Sequence, residues 1–154
     1  MNKIVTDCGC GHTQAVITVL PKLRFRCHCT RCQSIYKAPF ADALVFRRGQ
    51  ARLIDQTTVF WKRAMRPSPL NRGLCRSCGR PVLAHLYGAV SIVPTLMLSG
   101  VELPPVSYDV YYNTRFAKLD DSVPKRGNAL SSYIACTPSF VGVLLSPGRN
   151  IPAE

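Results

Sequence analysis

Short runs of alternating apolar and polar residues recur along most of this chain, and such alternation is typical of β-strands. In residues 23–29 the odd positions are apolar or cysteine and the even positions are basic or histidine, so the two sets lie on opposite faces. Similar runs rich in β-branched residues predict further strands at residues 14–20, 43–46, 51–54, 57–63, 82–87, 90–93, 95–98 and 108–113. Because no stretch has the period of an amphipathic helix of normal length, we predict a single mainly β domain with little helix.

Two segments interrupt the strand pattern. Residues 65–73 are polar and contain prolines, which predicts a loop. Residues 131–145 are apolar but are broken by Pro138 and Gly142, so they predict an extra strand, an interface arm or a loosely ordered tail.

No segment has the composition of a membrane span. The most apolar stretch, residues 82–106, is broken by His85, Glu102 and several prolines and glycines, so it predicts buried strands and no membrane partner. The first residues contain no apolar run typical of a secretory signal. We therefore expect a cytoplasmic protein.

The cysteines point to metal binding. Seven of the eight lie in three short clusters, Cys8-x-Cys10, Cys27-x-Cys29-x2-Cys32 and Cys75-x2-Cys78. The cytosol keeps thiols reduced, so this grouping favours metal ligation over a disulfide framework or scattered core cysteines. Cys136 stands alone and is predicted to be a small buried residue.

The central cluster has the spacing of an open metal site. Cys27 and Cys29 lie on the same face of the predicted strand, and a turn after them brings Cys32 to the same point. His28 points to the opposite face. Three sulfurs bind zinc well and leave a tetrahedral ion one vacant position, which is the arrangement of a catalytic zinc.

The remaining four clustered cysteines predict a closed structural site. A Cys-x-Cys pair and a distant Cys-x2-Cys pair together complete a four-sulfur zinc, which joins Cys8 and Cys10 to Cys75 and Cys78. We therefore predict two zinc ions per chain. Spacing alone leaves open a second site that is closed by a histidine, either His12, His28 or His85.

The positive charge of the chain is concentrated in one segment. The formal net charge is +12, and residues 22–80 hold 14 of the 20 Lys and Arg but only two acidic residues, Asp42 and Asp55. One interpretation is an anionic partner, either a small carboxylate-bearing ligand or a nucleic acid. The other is that cations balance the negative charge of zinc–thiolate sites.

Taken in order, the three cysteine clusters resemble the family of the glutathione-dependent formaldehyde-activating enzyme and centromere protein V. The resemblance covers about residues 4–126 and leaves residues 127–154 as an extension of unknown role. The matching pieces are Cys8-Gly9-Cys10-Gly11, Cys27-His28-Cys29-Thr30-Arg31-Cys32, Ala38-Pro39-Phe40 and Cys75-Arg76-Ser77-Cys78-Gly79.

This resemblance implies a fold of antiparallel sheets called the β-tent, with one structural and one catalytic zinc. It also implies carbon–sulfur lyase chemistry, the reversible formation of S-hydroxymethylglutathione from glutathione and formaldehyde. Arg26 directly precedes the central cluster, Arg31 lies within it, and both are predicted to hold the carboxylates of glutathione. The chain departs from the family pattern at Gln33, where a basic residue is usual, and at Lys37, where a glycine is usual.

Two other functions fit the residues. The charge of residues 22–80 fits a zinc-containing module that binds nucleic acid or another polyanion without catalysis. Phe25 lies on the face opposite Arg24 and Arg26, whereas single-stranded nucleic acid needs stacking and charge on one face. In the third hypothesis both zinc ions only hold the fold together.

Overall fold

Strands dominate the fold of the computed structural model, which describes residues 2–63, 68–146 and 148–152. The strands are β1 (Ile4–Asp7), β2 (Gln14–Ile17), β3 (Leu23–Cys27), β4 (Ala41–Arg47), β5 (Ala51–Leu53), β6 (Val59–Arg63), β7 (Leu70–Cys75), β8 (Pro81–Leu86), β9 (Val90–Pro94) and β10 (Tyr108–Val110). The helices are α1 (Thr30–Tyr36) and α2 (Ala129–Leu145), with short 3-10 turns at Gln56–Thr58, Thr95–Leu98 and Tyr112–Thr114. The prediction of a mainly β fold is confirmed.

The strands form two sheets. A three-stranded antiparallel sheet has the order β1-β2-β5, and a seven-stranded sheet has the order β10-β3-β4-β9-β8-β7-β6. The larger sheet is antiparallel except that β10 runs parallel to β3. Its interior strand β4 faces two cores, since Leu44 and Phe46 pack towards the smaller sheet while Ala43 and Val45 pack towards α2.

The C-terminal segment is a helix, which corrects the expectation of a strand, an arm or a loose tail for residues 131–145. The helix begins with a capping box, in which Asn128 Oδ1 accepts from the Ser131 N–H at 2.9 Å and Ser131 Oγ accepts from the Asn128 N–H at 3.2 Å. Its inner face packs on the larger sheet, with the Phe140 ring 5.9 Å from that of Phe25. This burial outweighs the roughly 3 kcal/mol cost of Pro138 inside the helix.

Several shorter predictions also differ from the structure, and the predicted strands 14–20, 23–29 and 57–63 are shorter than expected. Residues 95–98 form a 3-10 turn instead of a strand, and β10 ends at Val110, short of the predicted 108–113. Leu70–Cys75 is a strand, so the predicted loop 65–73 is wrong at its end, and residues 64–67 lie outside the described part. Across the described residues, no helix is long and apolar enough to cross a membrane.

The short helix α1 ends at a residue with left-handed backbone. Lys37 has φ 50° and ψ 45°, and its N–H donates to the carbonyl of Gln33 to close the helix. A side chain in this conformation costs about 1–2 kcal/mol because its Cβ crowds the backbone, whereas glycine avoids that contact. Lys37 therefore occupies a glycine position.

We expect Lys37→Gly to raise the free energy of unfolding by about 1 kcal/mol, since relief of the left-handed strain exceeds the entropy that glycine adds to the unfolded chain. Urea denaturation at constant zinc concentration measures the change. Ser34→Gly, inside the same helix, is the matched control and should lower stability by about 0.5 kcal/mol. An equal decrease in the free energy of unfolding in both variants would show that the backbone at Lys37 is not strained.

Candidate metal centres

One group of four cysteines lies where the two sheets meet. Cys8 and Cys10 come from the β1–β2 loop, Cys75 ends β7, and Cys78 lies in the turn before β8. Their sulfurs all lie within 4.8 Å of one another, with Cys8–Cys75 at 3.6 Å and Cys10–Cys75 at 3.8 Å. Tetrahedral zinc with bonds near 2.3 Å places its sulfur ligands about 3.8 Å apart, so the four thiols fit this ion.

Two glycines allow the tight turns that bring these sulfurs together. Gly9, between Cys8 and Cys10, has φ 85°, and Gly79, directly after Cys78, has φ 71°. The Gly79 N–H donates to the Cys75 carbonyl at 2.9 Å and closes the second turn. The local sequence therefore shapes the Cys8–Cys10 turn and the Cys75–Cys78 turn separately, and the fold brings the two turns together.

The second group, Cys27, Cys29 and Cys32, is built by the junction of β3 and α1. Cys27 ends β3, Cys29 caps the N-terminus of α1, and its sulfur accepts from the Cys32 N–H at 3.3 Å. The three sulfurs lie within 4.8 Å of one another, and no histidine, cysteine or carboxylate from the described residues joins them. Cys27 and Cys32 are buried while Cys29 is partly exposed, so the group opens on the Cys29 side.

The three sulfurs share their negative charge unequally. Hydrogen bonds with Cys27 and Cys32 lower the pKa of Cys29 to about 2, against the opposing effect of burial. Hydrogen bonds with Cys29 and Cys32, together with burial, raise the pKa of Cys27 well above its usual range. The group therefore holds a thiolate at neutral pH, which is the form that ligates metal.

Arg72 is the cation in contact with this group. Its guanidinium Nη2 lies 3.7 Å from Cys32 Sγ, and only 8% of the residue is exposed. No salt bridge to a carboxylate is found for Arg72 within the described residues. A buried cation requires a compensating charge, and the Cys29 thiolate of the same group supplies it.

Helix α2 borders the same group. The backbone N–H of Tyr111 donates to Ser132 Oγ at 2.9 Å, which fixes the start of α2 beside β10. Burial raises the pKa of Tyr111, and so do a hydrogen bond with Tyr133 of α2 and the negative charge of Cys27 and Cys29. The C-terminal extension thus contributes to the surroundings of the three cysteines.

The two arginines predicted to bind substrate lie in different surroundings. Arg26 is on the face of β3 opposite Cys27, where its guanidinium donates to Asp109 at 2.7 Å and to Asp121 at 2.7 Å. Arg31 is exposed on α1, next to Cys32 in the sequence. The structure thus brings neither guanidinium into a described contact with the sulfurs, and their role in substrate binding stays a prediction.

A buried carboxylate anchors the back of the three-cysteine junction. Asp109 in β10 is fully buried and accepts from Arg26, from His28 Nε2 at 2.8 Å and from Lys125 Nζ at 2.6 Å. Burial alone raises the pKa of Asp109, but these three donors lower it below its usual range. His28 is therefore held on the face opposite Cys27 and Cys29, as the strand alternation predicts.

We expect Asp109→Asn to lower the free energy of unfolding by about 3 kcal/mol, because it removes the buried carboxylate that Arg26, His28 and Lys125 share and leaves the two cations only the more exposed Asp121. In the folded protein the pKa of Asp109 lies below its value in the unfolded chain, which is near 3.9. The stabilisation that the Asp109 carboxylate provides is therefore complete above about pH 4 and is lost as the pH falls below that value. Urea denaturation at several pH values measures the difference between variant and wild type.

Asp42→Asn removes a carboxylate that pairs with Arg24 at a more exposed position, and it is the control for Asp109→Asn. We expect it to cost less than about 1 kcal/mol. A loss of similar size in both variants, or a difference independent of acid pH, would contradict the role given to Asp109.

Sequence reasoning missed Arg72 and Asp109. Arg72 lies in the segment 65–73, which the sequence predicts to be a loop, so the sequence assigns its side chain to no face of a strand. Asp109 carried a signal, since it is an acidic residue between apolar neighbours in a predicted strand, where an unpaired charge is costly.

Comparisons with known proteins agree with this arrangement. Residues 3–112 match the family described as "Glutathione-dependent formaldehyde-activating enzyme". The crystal structure of a structural-genomics target from Rhodobacter sphaeroides is similar, with TM-score 0.53 and 19% identity over 66% of this chain and 98% of that chain. At this identity the likeness shows the fold alone.

A curated relative matches only a short segment. Fer-1-like protein 4 of Mus musculus is 42% identical over 45 residues, which is 29% of this chain. The chain spans 2% of the length of that protein. Since the family match covers most of the chain and includes all seven clustered cysteines, the chain belongs to the family of the glutathione-dependent formaldehyde-activating enzyme.

Proposed function

We propose that this protein is a zinc-dependent carbon–sulfur lyase acting on the adduct of a small thiol and an aldehyde, of the S-hydroxymethylglutathione type. The observation that carries the proposal is the three-cysteine group, which opens on the Cys29 side and has no fourth protein ligand among the described residues. Membership of the family supports glutathione and formaldehyde as the substrates.

We assign one zinc ion to each cysteine group, giving two per chain. Cys8, Cys10, Cys75 and Cys78 would hold the structural ion with no open position, and Cys27, Cys29 and Cys32 would hold the catalytic one. A zinc ion bound by three thiolates supplies a Lewis acid that favours the thiolate form of a thiol substrate.

The proposed reaction conserves every atom of both substrates. In the forward direction the thiol sulfur forms a bond to the aldehyde carbon, and the proton lost by the thiol ends on the aldehyde oxygen. In the reverse direction that carbon–sulfur bond breaks, the hydroxyl returns its proton, and free thiol and aldehyde leave.

The residues around the site favour an anionic substrate sulfur. Three cysteine thiolates carry more negative charge than a divalent zinc ion neutralises. A substrate thiolate would add to this excess, so a nearby cation is needed to stabilise it. Arg72 is that cation, since its guanidinium contacts Cys32 within the protein. The exposed Arg31 is available for a carboxylate of the substrate, whereas the donors of Arg26 are already bound to aspartates.

The chain is divided into a zinc domain and a C-terminal extension in this proposal. We propose residues 1–126 as the zinc domain and residues 127–154 as an extension whose helix packs on it. We propose that the protein acts in the cytoplasm, where glutathione keeps thiols reduced.

Exchange of formaldehyde with glutathione tests the lyase proposal directly. We expect the protein to accelerate exchange between glutathione and its hydroxymethyl adduct, measured by exchange NMR, above the spontaneous rate. Cys29→Ser should reduce the enzymatic rate by at least about 100-fold and lower the zinc content from about two to about one per chain. Cys136→Ser, remote in sequence from the clusters, should change neither quantity.

Absence of acceleration by the wild-type protein, or an unchanged rate in Cys29→Ser, would overturn the lyase proposal. In that case a polyanion-binding module becomes the better function, because residues 22–80 carry most of the basic residues. Binding of single-stranded DNA that weakens steeply with salt would support this second candidate.

A further inference from the structure

The outward side of α2 exposes apolar side chains along its whole length. Exposed positions recur in pairs every four residues, so they form one continuous surface that we call the outer face of α2. Leu130 is 70% exposed, Ile134 is 66% exposed and Leu145 is 80% exposed. The outer face consists of Ala129, Leu130, Tyr133, Ile134, Thr137, Pro138, Val141, Gly142 and Leu145.

The outer face has almost no group that requires water. No residue of α2 is charged at neutral pH. The hydroxyl of Thr137 donates to the Tyr133 carbonyl at 2.8 Å, so its hydrogen-bonding need is met inside the helix. Packing on the sheet explains the apolar inner face of α2 but leaves the outer one unexplained, and exposed apolar surface of this extent is typical of an interaction site.

Cations flank the outer face at both ends. The exposed Arg126 precedes the helix, while the exposed Lys22 and Arg149 lie at its C-terminal end, where Lys22 Nζ donates to Ser146 Oγ at 3.0 Å. Residues 122–152 contain no aspartate or glutamate. A second copy of the chain packed antiparallel on this helix would bring cations against cations, whereas an anionic surface complements them.

We propose that the outer face of α2 docks on the surface of an anionic lipid bilayer, with the helix lying in the interface plane. Leu130, Ile134 and Leu145 enter the acyl boundary, and the flanking cations contact lipid phosphates. Tyr133 suits this depth because its ring is apolar and its hydroxyl is polar. The association is interfacial and differs from a membrane span, and it does not depend on the proposed lyase activity.

Vesicle binding by the full zinc-loaded chain tests the proposal. We expect the protein to sediment with vesicles of phosphatidylcholine mixed with phosphatidylglycerol, but not with pure phosphatidylcholine, and to be released by salt. Ile134→Glu should reduce the bound fraction by about tenfold or more. The matched control Leu96→Glu places the same charge on a residue that is 81% exposed outside α2, and it should bind as the wild type does.

Three results would overturn the proposal. One is a wild-type protein that stays in the supernatant with anionic vesicles, and another is an equal loss of binding in Ile134→Glu and Leu96→Glu. The third is a dimer, detected by analytical ultracentrifugation, that Ile134→Glu dissociates, because a second copy would then cover the outer face. Circular dichroism and zinc content of both variants establish that they fold.

Discussion

Replacing Cys75 with serine is expected to abolish folding of the whole chain. Cys75 is fully buried, and its sulfur contacts Cys8, 67 residues away in the sequence, where the smaller sheet meets β7 of the larger one. A structural zinc of this type contributes on the order of 10–16 kcal/mol at neutral pH, whereas a domain is stable by only about 5–15 kcal/mol. Losing one of the four ligands removes part of this contribution, and a loss of roughly half of it would already match the total stability of many domains.

Circular dichroism and zinc content of purified Cys75→Ser measure this outcome, and Cys29→Ser is the matched comparison. Each variant loses one thiol of one cysteine group, so each should lose about one zinc ion. We expect only Cys75→Ser to lose the β-sheet signal and to become sensitive to protease. A folded Cys75→Ser protein with cooperative unfolding would show that the four-cysteine group does not hold the sheets together.

The parts of the fold that sequence could predict are those set by local alternation. In β3, Leu23, Phe25 and Cys27 are buried while Arg24 and Arg26 are less so, because one face of the strand meets the core around α2. Helix α2 could not be predicted in this way. Its two faces are both apolar, so no helical period appears, and Pro138 and Gly142 resemble chain breakers.

In the candidate site, too, the features set by neighbouring residues could be predicted from the sequence, whereas contacts between distant segments could not. The convergence of Cys27, Cys29 and Cys32 follows from six adjacent residues and the turn between β3 and α1. The contact of Arg72 with Cys32 spans 40 positions and depends on how β7 is placed in the sheet. Spacing does not specify that placement, since strand order and register are set by packing of the whole core.

Arg72 is the residue whose replacement tests most directly whether a cation must offset the negative charge of the three-cysteine group. Replacing it with methionine keeps most of the side-chain volume inside β7 but removes the cation beside Cys32. If the proposed lyase chemistry holds, a substrate thiolate then meets uncompensated negative charge. We expect kcat/KM for the hydroxymethyl adduct of glutathione to fall by roughly 100-fold or more, the scale seen when a preorganised charge is removed from a site.

Arg72→Lys separates this electrostatic role from packing. Lysine retains the positive charge at the same buried position, so we expect it to recover part of the activity that Arg72→Met loses. Both variants should retain about two zinc ions per chain, since all seven clustered cysteines remain. If Arg72→Met loses zinc or its fold, the arginine acts through structure. If Arg72→Met retains full activity with zinc in place, the thiolate charge is balanced elsewhere.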